Sequence, residues 1–158
     1  MSMSITNVQP QGCTNFKLRQ LLRTVSRHYD AELARAGLKG TQFSLLSHVV
    51  KLGPLQPQAL ARQMGLDAST LTRNLRPLIE MGWVIQGPGD DARSRIVIAT
   101  PAGRAKHTEA RRHWKRAQLA LNDRLGTATV VALHALIDDG LARLAPEPQT
   151  ITTDQIDG

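Results

Sequence analysis

The stretch LARQMGLDASTLTRNLRPLIEMGW, residues 60–83, decides the fold. It belongs to two closely spaced helices, 56–64 and 68–81, joined by the short turn Gly65-Leu66-Asp67. In the second helix Leu71, Leu75, Leu78 and Ile79 fall on one side, and Ser69, Thr72, Arg73 and Arg76 on the other. A helix that anchors by one face and leaves the opposite face free and polar is what entry into a DNA major groove requires. Asp67 is positioned to accept from the backbone N–H of Ser69 or Thr70 and so to fix where that helix starts. Ala61 and Gly65 are small where the two helices and their turn come close.

Downstream, Trp83, Val84 and Ile85 read as a short strand, residues 87–91 as a loop, and residues 96–99 as the returning strand of a hairpin. The expected tip carries Asp91, Arg93 and Arg95, and an arginine there suits a narrow minor groove, where the negative potential is enhanced. Thr100 before Pro101 is a cap followed by proline at the first helical position, opening a long helix that runs to about residue 124. After Gly126-Thr127 a last helix carries Val130, Leu133, Ile137, Leu141 and Leu144 on one stripe.

Upstream, Phe16, Leu18, Leu21, Leu22, Val25, Tyr29 and Leu33 recur mostly at helical spacing, predicting a first helix over 14–35 that ends at Gly37. Thr41 is the expected cap of a second helix that stops at Gly53-Pro54. Residues 1–13 read as a flexible lead-in, and residues 146–158, rich in Pro, Thr and Asp, as a disordered tail. Between them, 14–145 suits a single domain.

Twenty Lys and Arg against thirteen Asp and Glu give a formal charge of +7, which favours a polyanionic partner. Cys13 is the sole cysteine, so neither a disulfide framework nor a Cys-rich zinc site is available. The five histidines (28, 48, 107, 113 and 134) include no pair one helical turn apart, and no metal site is expected. Gly87-Pro88-Gly89 precedes a strand, whereas a phosphate-binding glycine loop opens a helix. No serine sits in a nucleophile elbow and the thiol has no local histidine, so neither catalysis nor a cofactor is expected. The start of the chain lacks a basic segment followed by an apolar run, and no stretch approaches the ~20 apolar residues of a membrane span, so the expected compartment is the cytoplasm. Arg104, Lys106, Arg111, Arg112, Lys115 and Arg116 crowd one long helix and read as a solvated charged face, with Ala110, Trp114, Ala117 and Leu121 on its buried side.

Residues 60–83 together with DDARSRIVIATPAGR, residues 90–104, resemble the multiple antibiotic resistance regulator (MarR) family, and the resemblance extends over about residues 16–144. It implies a mainly α chain with a small β-hairpin wing. The winged helix-turn-helix would span about 41–100, and helices at about 14–36 and 101–145 would build a homodimer. It further implies binding to pseudopalindromic double-stranded DNA, with half-sites about one duplex turn apart, and repression relieved by a small aromatic or phenolic ligand. Ser69, Thr70, Thr72 and Arg73 match the family's recognition-helix positions, and Asp91 and Arg93 its wing pair, the aspartate orienting the arginine. Arg76 and Arg95 extend this basic set.

The chain departs from the family at Pro77, where a basic residue is usual. Arg19, Arg23, His48 and Trp114 are the expected residues of a ligand cleft, basic groups beside apolar surface suiting a carboxylate. Oxidant sensing through Cys13 is an alternative, although the family's peroxide sensors have their cysteine at the position of Asn15. An architectural DNA-binding protein with no effector is another.

Overall fold

The computed structural model describes residues 9–89 and 94–146. One compact unit runs through Leu121 and a second begins at Asn122. Six α-helices and one antiparallel hairpin make up the described residues: α1 (Thr14–Leu33), α2 (Gly40–Leu52), α3 (Pro57–Met64), α4 (Ala68–Glu80), β1 (Val84–Pro88), β2 (Arg95–Ala99), α5 (Pro101–Leu125) and α6 (Thr127–Leu144).

The core of the first unit is built on leucines spaced by the helical repeat. Leu45, Leu46 and Val49 of α2, Leu60 of α3 and Leu71, Leu75 and Leu78 of α4 are all essentially inaccessible, together with Val84 and Val97 of the hairpin. Burying a leucine side chain contributes about 1.5 to 3 kcal/mol, so this cluster is what seats α4. Ile79 departs from the expected anchor: it is 38% exposed. At 100° per residue it lies past the edge of the stripe that Leu71, Leu75 and Leu78 define.

Helix boundaries follow local chemistry. Ala34–Ala36 tighten into a single 3-10 turn, and Gly37 takes the left-handed conformation (φ 73°) that lets the chain reverse. Thr41 does not cap α2. The N-cap is Lys39, two residues earlier, where the Gln42 side chain accepts from Lys39 N at 2.9 Å and the Asp30 carboxylate of α1 accepts from Gly40 N at 2.6 Å. Carboxamide and carboxylate thus satisfy two of the N–H groups at the start of the helix. Pro57 opens α3 at its first turn, and Gly65 (φ 63°) closes it. Helix α4 continues through Pro77, which is without an N–H to donate to the preceding turn.

The hairpin is longer than expected. Gly87 and Pro88 lie in β1 and not in the loop, and the register pairs Val84 with Ala99 and Pro88 with Arg95. Pro88 is tolerated because β1 is an edge strand. On its other side β2 pairs with Leu55: Val97 N donates to Leu55 O at 2.8 Å, and Leu55 N to Val97 O at 3.3 Å. This bridge fixes the base of the hairpin to the chain between α2 and α3.

Thr100 caps α5 as expected. Its Oγ1 accepts from Gly103 N at 3.0 Å while donating to Gly82 O at 2.7 Å. Gly103 is required there, because a Cβ would stand 1.9 Å from the Trp83 carbonyl oxygen. Polar side chains tie α1 to α5: His28 Nε2 donates to Ala117 O at 2.8 Å, and Tyr29 Oη donates to Gln118 Oε1. Glu32 meets His113 at 3.0 Å and Arg116 at 3.5 Å. The hydrogen bond from His113 and the neighbouring arginines hold the Glu32 carboxyl below its usual range.

In α6, Gly126 (φ 80°) precedes the first turn, Val130 is buried, and Ile137, Leu141 and Leu144 are exposed. Among the described residues no single helix is long and apolar enough to cross a membrane.

Candidate functional site

Helix α4 turns its polar side outward, with Ser69, Thr72, Arg73 and Arg76 all exposed and Thr70 half-buried. Its start is set by Asp67. One carboxylate oxygen accepts from Thr70 N and from Ser69 Oγ, each at 2.7 Å, and the other accepts from Thr70 Oγ1 at 2.9 Å. These hydrogen bonds, the one from the Ser69 hydroxyl foremost, pull the Asp67 pKa down to about 2. The cap is therefore complete above the ordinary carboxylate range and weakens as pH falls toward that value.

An ionised carboxylate only accepts, so the Ser69 and Thr70 hydroxyls must donate to it. Thr72 Oγ1 donates to Ala68 O at 2.9 Å. All three hydroxyl protons on this face are thus used within the helix, and the oxygens offer lone pairs outward. Arg76 is held by Glu80 at 2.8 Å, an exposed i,i+4 pair of little energetic weight. Arg73 makes no ion pair or hydrogen bond among the described residues, and only the longer-range attraction of Asp67 acts on it.

Of the expected wing residues, Arg95 is exposed on β2 at the outermost described pair of the hairpin. Asp91 and Arg93 lie outside the described residues. Gly89 N donates to Ser94 O at 2.8 Å, just past the Pro88–Arg95 pair.

A second feature was only partly legible in the sequence. A cavity of about 460 Å³ lies among α1, α2 and α5 of the first unit. His48 and Trp114 line it as expected, but Arg19 and Arg23 do not. They are exposed on turns of α1 that precede Val25, the first α1 residue of the lining. The cations that do line it are Lys51 and Arg111. Their proximity follows from packing between helices far apart in sequence, which no local spacing reports.

One wall is aromatic. Phe43 stacks on His107, with ring centres 5.7 Å apart and planes at 11°, and on Trp114 at 6.2 Å. His107 is buried, and that burial, followed by the charges of Arg111 and Lys51, lowers its pKa. The unfolded chain therefore binds a proton there more readily, and stability is lost as pH falls below the ordinary imidazole range near ~6.5.

Cys13 is exposed at the N-cap of α1. No cluster of metal-ligating side chains occurs among the described residues. On α5, Lys106 donates to Ala36 O at 3.2 Å, pairs with Glu109 at 2.7 Å and lies over the Trp83 ring, so part of the basic stripe is structural.

Residues 36–94 match the model of the MarR family. The uncharacterized HTH-type transcriptional regulator YwoH of Bacillus subtilis is 28% identical over 93 residues, which cover 59% of this chain and 68% of that protein. Among solved structures, the M. tuberculosis transcriptional regulator MosR in complex with DNA is 28% identical with a TM-score of 0.71, covering 84% of this chain and 99% of MosR. A MarR variant from E. coli complexed with operator DNA shares the fold at 22% identity and a TM-score of 0.75, covering 80% of this chain and 92% of its own. With the helix-turn-helix and hairpin in place, these matches make the chain similar to the MarR family of winged helix-turn-helix transcriptional regulators, over residues 36–94 by sequence and over most of its length by fold.

Proposed function

We propose that this protein binds duplex DNA as a homodimer, with α4 in the major groove and the hairpin in the minor groove. The observation that carries this reading is the outward face of α4, where Arg73 is exposed on a helix seated by three buried leucines. The MosR and MarR relatives were solved on DNA, which supports the same partner here. Arg73 supplies a planar fork suited to guanine O6 and N7. With their protons engaged, Ser69, Thr70 and Thr72 suit the amino groups of adenine or cytosine better than phosphate oxygens, which only accept. Asp91 and Arg93 act at the wing as the family resemblance implies, with Arg95 and Arg76 contributing charge.

Dimerisation uses the terminal helices. Phe16 and Leu22 of α1 are 61% and 65% exposed, and Leu136, Leu141 and Leu144 of α6 more so. Apolar side chains so placed call for a covering surface, and a second copy of the chain supplies one. The regulator represses by occluding a promoter, and a small aromatic or phenolic ligand in the cavity between α1, α2 and α5 relieves it. His48 and Trp114 contact that ligand, with Lys51 and Arg111 in the place first given to Arg19 and Arg23.

Footprinting tests the function. The expected result is protection of a discrete pseudopalindrome with half-sites about one turn apart. Broad coating without a preferred site would instead mark an architectural DNA binder.

A further inference from the structure

The cavity between α1, α2 and α5 has an unusual charge inventory. Helix α1 contributes Tyr29 and Asp30, α2 contributes His48 and Lys51, and α5 contributes His107 and Arg111. Asp30 is the one carboxylate in this lining, and it already accepts from Gly40 N at 2.6 Å. Lys51 and Arg111 have no ion-pair partner among the described residues. Tyr29 donates its hydroxyl proton to Gln118, and His48 Nδ1 donates to Ser44 O at 2.8 Å. The ring nitrogens of His107 have no hydrogen-bond partner among the described residues. Ser47, also in the lining, carries a buried Oγ without one. The site is thus short of negative charge and of hydrogen-bonding atoms at once.

Resting on the proposed ligand cavity and going beyond it, we infer that His107 takes up a proton when an anion occupies this site, so that ligand binding is linked to pH. In the empty cavity His107 is stacked on Phe43, buried, and close enough to two cations to feel their charge. The second and third of these conditions oppose an imidazolium. An anion drawn in by Lys51 and Arg111 reverses the third, and an acceptor oxygen on it supplies the partner that an imidazolium N–H lacks. The pKa of His107 then rises on binding. Linkage requires the converse: the anion binds more tightly where His107 is protonated. The window lies between the lowered value of the empty site and the raised value of the occupied one, on either side of the ordinary imidazole value near ~6.5. The consequence can reach the DNA-binding unit, because Phe43 belongs to α2, and α2 packs directly against α4 and β2.

Benzoate is the simplest probe with a ring and a carboxylate. Calorimetric titration of the full chain in paired buffers of different ionisation enthalpy reads both affinity and protons exchanged. The expected result is proton uptake at pH ~6 with affinity roughly three- to tenfold above that at pH ~8, where uptake vanishes. His107→Gln keeps a polar side chain that cannot ionise, and it should bind benzoate equally at both pH values. His48→Gln, whatever it does to affinity, should keep the proton uptake of the parent. Should His107→Gln fail to fold, the His107 ring resonances of the unaltered protein, titrated with and without benzoate, give the shift directly. Benzoate binding without proton uptake, uptake that survives in His107→Gln, or a His107 pKa unmoved by benzoate would each overturn the inference. Failure of benzoate to bind at either pH, with the DNA footprint intact, would overturn it while leaving the DNA-binding reading in place. Proton-linked benzoate binding without any footprint would do the reverse.

Discussion

Helices α4 and α6 both carry regularly spaced leucines, yet the chain treats them in opposite ways. In α4, Leu71, Leu75 and Leu78 are at most 2% exposed, closed over by α2, α3 and the hairpin, and the polar side faces out. In α6 the aliphatic side chains beyond Val130 stay largely open, with Leu141 at 66% and Leu144 at 85%. An amphipathic stripe therefore says that a helix has a partner but not whether that partner is the same chain. For α4 the partner is internal and the polar face is left for use. For α6 the apolar face itself is the surface left over.

This contrast can be broken by substitution, and the largest effect on folding is expected inside α4. Leu75→Ala should cost about 2 to 5 kcal/mol in denaturant unfolding, because the side chain is buried on every side and leaves a cavity. A loss comparable with that of a surface residue would show that α4 is not held by this core. Gly103→Ala comes next, at about 1 to 3 kcal/mol, since its Cβ must displace the Trp83 carbonyl that anchors the hairpin to α5. An unchanged midpoint would mean the junction yields freely. Leu141→Glu should have the smallest effect on folding, within about 0.5 kcal/mol for an exposed position, with helical content retained by circular dichroism. It should nonetheless convert the proposed dimer to monomer in sedimentation, and a persisting dimer would remove α6 from the interface.

Much of this was legible in the sequence where the signal is local. Asp67, Gly65 and the leucine stripe set the helix-turn-helix, and Thr100 with Pro101 set the start of α5. What escaped depends on segments distant along the chain. The Leu55–Val97 bridge, the need for glycine at residue 103 and the pairing of Lys51 with Arg111 around the cavity all arise from packing between separate elements. Thr41 lost its capping role because α2 starts ahead of it at Gly40, whose N–H is held by Asp30, ten residues earlier. The use of hydroxyl protons on α4 was likewise hidden, since residue type alone reports both a donor and an acceptor.

The central claim is that the outward face of α4 reads bases through Arg73. Lysine at that position keeps the charge but lacks the fork for two parallel hydrogen bonds to guanine. Binding titrations of Arg73→Lys on the footprinted operator and on a scrambled duplex, across a salt series, separate the two contributions. The account predicts a loss of about 1 to 3 kcal/mol on the operator, relaxed preference at one symmetric pair of positions, and little change on the scrambled duplex. Equal losses on both duplexes, or near-normal operator binding by the lysine variant, would contradict it and reduce Arg73 to a phosphate contact.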